Sequence, residues 1–236
     1  MKYLKLFENF DQSEIDYLCK EYRIENYTIN PDGSIDVDGD VDLLDEKLTK
    51  LPLKFNRVSG NFTCTYNKLT SLIGCPNHVG GDFSCSKNKL TSLIGCPNHV
   101  GGYFSCSKNK LTSLIGCPNH IGRYFTCTYN QLTSLIGCPN HVSGSFSCNS
   151  NQLTTLDGYP QYVGDGFSCS NNPVSKIIYL FNEDSKIYLE YQETYNFLRK
   201  DGKIVKHLFY EALKDYNEYY NRQIELPKRI KGYTYI

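Results

Sequence analysis

The chain has 236 residues, 11 cysteines and a formal net charge of zero, with 25 Lys/Arg set against 25 Asp/Glu. That balance excludes a globally basic nucleic-acid binder, and no apolar run approaches the ~20 residues needed to span a bilayer. The charge is uneven: residues 1–47 carry 13 acids and 5 bases, whereas residues 48–175 carry 3 and 9, too thin a cover for tracking phosphates.

Residues 1–10 form a short basic-amphipathic leader with no apolar h-region or small-residue cleavage site, so no secretory signal is expected. Asp11 can N-cap a helix with Glu14 at the reciprocal position. Ile15, Leu18, Cys19 and Tyr22 then share one helical face. Tyr27 to Asn30 and Ser34 to Val37 flank Pro31-Asp32-Gly33, which predicts two short strands joined by a turn. The acids Asp36, Asp38, Asp40 and Asp42 alternate with apolar residues. A calcium loop would need Gly and Glu where Val41 and Lys47 stand. The alternation instead predicts two edge strands with one wet face, where charge blocks end-to-end association.

From Val41 the chain repeats. Leu69, Leu90, Leu111, Leu132 and Leu153 recur every 21 residues, as do Phe62-x-Cys64, Phe83-x-Cys85, Phe104-x-Cys106, Phe125-x-Cys127, Phe146-x-Cys148 and Phe167-x-Cys169. Such a period marks a solenoid in which each unit leans on its neighbours. Alternation turns Phe and Cys inward and the Ser/Thr between them outward. Asn67, Asn88, Asn109, Asn130, Asn151 and Asn172 each lie three residues beyond a strand cysteine. There an amide can turn the chain and bond the backbone of the next rung. Leu-Thr-Ser-Leu returns across the back, and Gly-Cys-Pro-Asn-His makes the outer bend. After Pro173 the period ends. Residues 175–199 and 203–221 have helical spacings broken at Asp201-Gly202, and the last ten residues are short, basic and β-prone. Three segments are expected: an N-terminal cap over 1–40, a solenoid over 41–175 and a helical C-terminal cap over 176–236.

Ten cysteines follow the period and the total is odd, which favours reduced, packed thiols over a disulfide framework. Cys75-x-x-His78 and its three copies have residue types that bind zinc. A ladder of identical pairs suits no single four-ligand site, so a repeated turn with no metal is expected. No nucleophile–base pair or phosphate loop stands out, so neither an enzyme nor a cofactor is expected. The units differ on the outward face of the strands. Before each Phe stand Asn61, Asp82, Tyr103, Tyr124, Ser145 and Gly166, and before each Asn stand Tyr66, Lys87, Lys108, Tyr129, Ser150 and Asn171. A fixed framework with a varied face is the pattern of a recognition surface. Its expected binding residues are Tyr66, Asp82, Lys87, Tyr103, Lys108, Arg123, Tyr124 and Tyr129.

The repeat resembles the leucine-rich-repeat pattern L-x-L-x-x-N-x-L, written here as Phe83-x-Cys85-x-x-Asn88-x-Leu90. The resemblance covers roughly residues 41–175 and implies an α/β, β-rich solenoid with one parallel sheet and a concave strand face. One departure is Gly80 where the family has an apolar residue. Val79 supplies that group one position earlier, which implies a bulge or a cross-section unlike the usual horseshoe. The wording of residues 24–175 is also similar to that of short leucine-rich-repeat proteins of tailed bacteriophages and bacteria. This implies a phage or prophage origin and a place in the host cytoplasm. The resemblance implies no established activity; the varied face on its fixed framework leads to the expectation of a non-enzymatic module that binds a protein partner, neither nucleic acid nor membrane. The alternative is a virion-associated structural protein, because Leu6-Phe7-Glu8 resembles the leader of internal phage head proteins. An ice-binding solenoid, suggested by Thr63-Cys64-Thr65 and Thr126-Cys127-Thr128, is the remote alternative, as is a metal-binding one.

Overall fold

The computed structural model describes residues 11–181 and 184–236. The Leu6-Phe7-Glu8 motif lies outside the described residues. The body is a parallel β-solenoid in which 21-residue rungs stack in register, Phe62 on Phe83, Phe83 on Phe104, Phe104 on Phe125, Phe125 on Phe146 and Phe146 on Phe167.

Each rung contributes to two sheets. The Phe-Ser/Thr strands form a seven-stranded parallel sheet that runs from Val41–Asp42 to Phe167–Ser168. A second, eight-stranded sheet begins with Tyr27–Ile29, Ile35–Val37 and Phe55–Val58 and continues through the residues just before the corner, His78–Val79, His99–Val100, His120–Ile121, His141–Val142 and Tyr162–Val163. The cross-section therefore differs from a one-sheet horseshoe, and the displaced apolar residue Val79 is the inward residue of this second sheet, fully buried. Leu-Thr-Ser-Leu forms a third side without strands, held across rungs by bonds such as Lys89 N–H to the Leu69 carbonyl at 2.9 Å.

The core is a set of columns. The phenylalanine rings stack with centroids 5.0–5.7 Å apart. Both leucines of each return, the strand cysteines and the Val/Ile of the second sheet pack around them. The eleven cysteines are free thiols, buried or half-buried. Burial pushes the thiols of the core columns above the ordinary cysteine range, Cys117 and Cys127 among them, so they behave as small apolar groups. In the last rung Tyr159 replaces the bend cysteine and meets Phe167 edge-on at 4.9 Å.

The asparagine column is fully engaged and, apart from half-buried Asn88, buried. Asn109 Nδ2 donates to the carbonyls of Cys85 and Cys106, both at 3.1 Å, and its Oδ1 accepts from Leu90 N–H at 3.0 Å. The same triple contact recurs at Asn130, Asn151 and Asn172. Each amide thus reaches back to the preceding rung, not forward to the next. Its own rung supplies the second carbonyl, so the amide sits between two rungs and closes the earlier one.

The ends are built differently. Helix α1 (Gln12–Glu21) is capped by Asp11, whose carboxylate accepts from Ser13 N–H, and it buries Ile15 and Cys19. Tyr27–Ile29 and Ile35–Val37 form the expected antiparallel hairpin. Ile35–Val37 also pairs in parallel with Phe55–Val58, so it is not an edge strand; of the two acidic strands only Val41–Asp42 stands at an edge. The acids are absorbed by hydrogen bonds: Asp36 accepts from Asn56, Asp38 from Ser59 and Asp40 from Asn61 N–H. At the other end come α2 (Ser175–Ile178), a 3-10 turn over Tyr179–Phe181, α3 (Ser185–Tyr195) and α4 (Lys206–Tyr220). They gather on Phe181, whose ring meets Tyr188, Tyr191, Phe197 and Tyr216. The tail strand Thr234–Tyr235 pairs with Lys203–Ile204, and Tyr233 donates to the Thr154 carbonyl at 2.8 Å, tying the cap to the last rung.

At the corner between the sheets the backbone of the preceding rung leaves no room for a Cβ on Gly80, Gly101 or Gly122. A Cβ on Gly122 would lie 1.9 Å from the Gly101 carbonyl oxygen, whereas one on Gly166 would find nothing nearer than Ser145 Oγ at 3.8 Å. Gly122→Ala is expected to cost about 1–3 kcal/mol through forced displacement of the stack. Gly166→Ala should stay within about 0.5 kcal/mol of the parent. Urea unfolding of the two variants side by side checks the pair.

Candidate functional site

The outward face of the Phe-strand sheet has a floor of hydroxyls. They bond one another diagonally across rungs: Thr65 with Ser84 at 2.7 Å, Ser86 with Ser105 at 2.5 Å, Ser107 with Thr126 at 3.1 Å and Thr128 to Ser107 at 3.0 Å. The floor therefore satisfies itself and holds its rotamers. Ser105 is buried at its centre.

Two columns border that floor. One is Asp82, Tyr103 and Tyr124. Asp82 Oδ1 accepts Tyr103 N–H at 2.7 Å, continuing a ladder in which Asn61 Oδ1 takes Asp82 N–H. Asp82 is thus partly exposed and engaged with its neighbouring rung. Tyr103 is half-buried. Burial pushes its hydroxyl above the usual tyrosine range, and a hydrogen bond with Ser105 pulls against that shift. Tyr124 stands out into solvent at 49% exposure, beside Arg123 at the corner, also exposed.

The other column is Tyr66, Lys87, Lys108 and Tyr129. The Lys87 ammonium sits 3.5 Å from the Tyr66 ring centroid and that of Lys108 5.3 Å from the Tyr129 ring, so the column forms two cation–π pairs. Tyr66 and Tyr129 are more than half exposed. Every residue of this column is left-handed, with φ of 55–60° from Tyr66 to Asn171. That conformation turns the chain out of the strand so that the next residue, the asparagine, can fold back into the core. It costs a side-chain-bearing residue about 1–2 kcal/mol. Asn or Gly would fit it more easily, yet Tyr and Lys occupy four of the six positions. The left-handed turn was not read from the sequence. Asn171 alone carries its signature, and Tyr and Lys mask it elsewhere.

Seven of the eight expected binding residues therefore fall in two parallel columns with hydroxyls between them, and Arg123 stands at the corner beside Tyr124. Two further ladders lie outside these columns, the isoleucines unforeseen in the sequence and the histidines expected there on the surface of a repeated turn. Ile73, Ile94, Ile115 and Ile136 are exposed at 51–79% along the outer bend, each two residues after a serine whose hydroxyl, in the first three, accepts the isoleucine N–H. A lone apolar residue beside a buried leucine looks like core, and only the turn geometry sends it outward. Second, the imidazoles stack along the outer face of the other sheet. His78 lies on His99 at 4.5 Å and 2°, His120 on His141 at 4.6 Å, and His141 on the Tyr162 ring at 4.5 Å. Cys75 points into the core while His78 points outward, so the Cys-x-x-His pair does not converge on one ion. Among the described residues no group of three or more His, Cys, Asp or Glu is placed to hold a metal. Among them also, no helix is long and apolar enough to cross a membrane.

Comparison of the chain with protein-family models, curated proteins and solved structures finds no match in any of the three.

Two predictions follow from this geometry. Lys108→Asn removes a side chain from a backbone it disfavours, and Asn is at home there. It should raise stability by about 0.5–1 kcal/mol, read by thermal or urea unfolding. The second concerns acid. Desolvation, then Arg57 and His99 beside it, hold His78 below the usual histidine pKa. The unfolded chain therefore takes the proton first. The stability this gives is full above about pH 6.5 and falls as pH drops through the folded value. Urea midpoints should decline as the pH falls below about 6.5, and His78→Gln should flatten that slope.

Proposed function

We propose that this chain is a non-enzymatic protein-binding module of the leucine-rich-repeat type, encoded by a tailed phage or prophage. On this reading its Tyr/Lys face docks on a partner protein in the host cell. The observation that carries the reading is the left-handed column. Tyr66, Lys87, Lys108 and Tyr129 are kept at positions where Asn would be more stable. A cost of that kind, repeated on one exposed face, has its natural return in contacts made by the side chains. Tyrosine brings a large rigid ring with a polar tip, the chemistry favoured at the centre of interfaces. Lys87, Lys108 and Arg123 give the face a positive rim, which suits an acidic patch on the partner. The self-satisfied hydroxyl floor supplies a pre-organised surface between the two columns.

The buried Asn and Leu columns support the leucine-rich-repeat resemblance, while the second sheet departs from that family's horseshoe. The phage origin rests on the wording of residues 24–175.

The test begins with affinity capture on the immobilised chain and mass spectrometry, followed by titration of the purified partner. Tyr124→Ala with Tyr129→Ala should weaken that partner by about 30-fold or more, the scale of an interface hot spot. The circular dichroism and the unfolding midpoint should fall no lower than those of the parent. Undiminished affinity in a folded double variant rejects this face as the docking surface.

A further inference from the structure

The Phe-strand sheet has an open end. In every rung three backbone N–H groups point toward the C-terminal end and meet carbonyls of the following rung. Phe146 donates to Gly166 at 2.8 Å, Cys148 to Ser168 at 2.9 Å and Ser150 to Ser170 at 2.9 Å. The next three donors, on Phe167, Cys169 and Asn171, have no following rung, because Phe167–Ser168 is the edge strand. Among the described residues none of the three has an acceptor. Cys148 O also receives the Asn172 amide of the following rung at 3.0 Å, whereas Cys169 O has only the amide of its own rung. Phe167 is half-buried, although the phenylalanines of the five rungs before it are 0–1% exposed.

The C-terminal cap does not close this edge. It covers the leucine side through Val174, Ile177 and Phe181 and leaves a cleft of about 580 Å³. One wall is the edge strand from Phe167 to Asn171. The opposite wall is Ser175, Lys176, Ile178 and Tyr179.

We infer that this cleft binds an extended segment of a partner polypeptide, which adds to the sheet as a further parallel strand. The occupant can be specified because the structure shows what fits the same edge. At each of the five preceding phenylalanine rungs it carries a strand of Phe, then Ser or Thr, then Cys, stacked ring on ring. The partner segment is therefore aromatic–hydroxyl–small in sequence. It places its ring on Phe167, its small residue over Cys169 and its carbonyls against the three free N–H groups. A second copy of the chain does not satisfy the cleft. A slot of about 580 Å³ backed by α2 holds a few residues, not a whole rung. This site is an end of the sheet, separate from the Tyr/Lys face, and stands or falls independently of it.

The test uses the full chain and a fluorescein-labelled peptide of residues 101–109 carrying Cys106→Ser. Anisotropy should show saturable 1:1 binding. A second peptide, N-methylated at the Ser105 amide, loses one strand–strand hydrogen bond and clashes at the edge, and should bind at least about 10-fold more weakly. Tyr124→Ala with Tyr129→Ala should leave peptide binding unchanged. Absence of saturation, equal binding of both peptides, or head-to-tail association of the chain that shuts the peptide out would each overturn the inference.

Discussion

The buried asparagine amide is the contact on which the regularity of this molecule depends. Each one stands at the end of a strand with its polar atoms out of reach of water. It is saved from the cost of that burial only by meeting a carbonyl of the preceding rung, a carbonyl of its own rung and a leucine N–H of the preceding rung. A net hydrogen bond is worth only about 0.5–1.5 kcal/mol, but a buried group left unpaired costs about 1–3 kcal/mol. The column therefore acts less as glue than as a ruler. A rung one residue longer or shorter would move the amide off both of its partners in the preceding rung at once. The 21-residue spacing is the length at which this accounting closes for every rung together.

The ruler also explains where the rungs are free to differ. To bring the asparagine back inside, the residue before it must turn left-handed, and that turn throws its side chain outward. The column richest in Tyr and Lys is thus a direct product of the buried amide. Its backbone is dictated and its side chain is not. The hydroxyls between the columns bond one another, so replacing one of the bordering residues need not disturb the floor. Inward columns, corner glycines and amides carry the stack. The bordering columns carry whatever distinguishes one rung from the next.

Much of this was legible in the residues, and the parts that were not have a common cause. The strand centres, the inward Phe and Cys, the hairpin at Pro31-Asp32-Gly33 and the break at Asp201-Gly202 all declare themselves through period, alternation or turn chemistry. The second sheet does not. Its strands are two residues long, as in His78–Val79, and alternation needs more than one repeat to be seen. Val79 registered only as an apolar residue one place early. The asparagines were placed correctly but aimed at the wrong neighbour, since spacing along one chain does not say which of two flanking rungs an amide faces. The candidate face could be located because its two columns vary. That Tyr66 and Lys108 stand on a left-handed backbone could not, because neither residue type announces it.

A parallel solenoid also has a polarity that its two ends must answer separately. Because the N–H groups of the Phe and Cys positions all point one way, those donors lie along the C-terminal edge beside that strand's own outward carbonyls, and the carbonyls that match them lie along the N-terminal edge. At the N-terminal end those carbonyls belong to Asp40, Asp42 and Leu44, by translation from Asn61, Thr63 and Thr65. The strand that carries them is two residues long and bears acidic side chains, a common way of blunting an edge. At the C-terminal end the helices bury the apolar columns, where exposure costs most, and stop short of the strand edge. Donor groups left at an edge can wait on water without much loss. They can also be claimed by a chain that brings carbonyls in the right register. An end closed over its core and open along its backbone is stable alone and specific about what it will accept, because the same rows of Phe and Cys that built the stack define the fit.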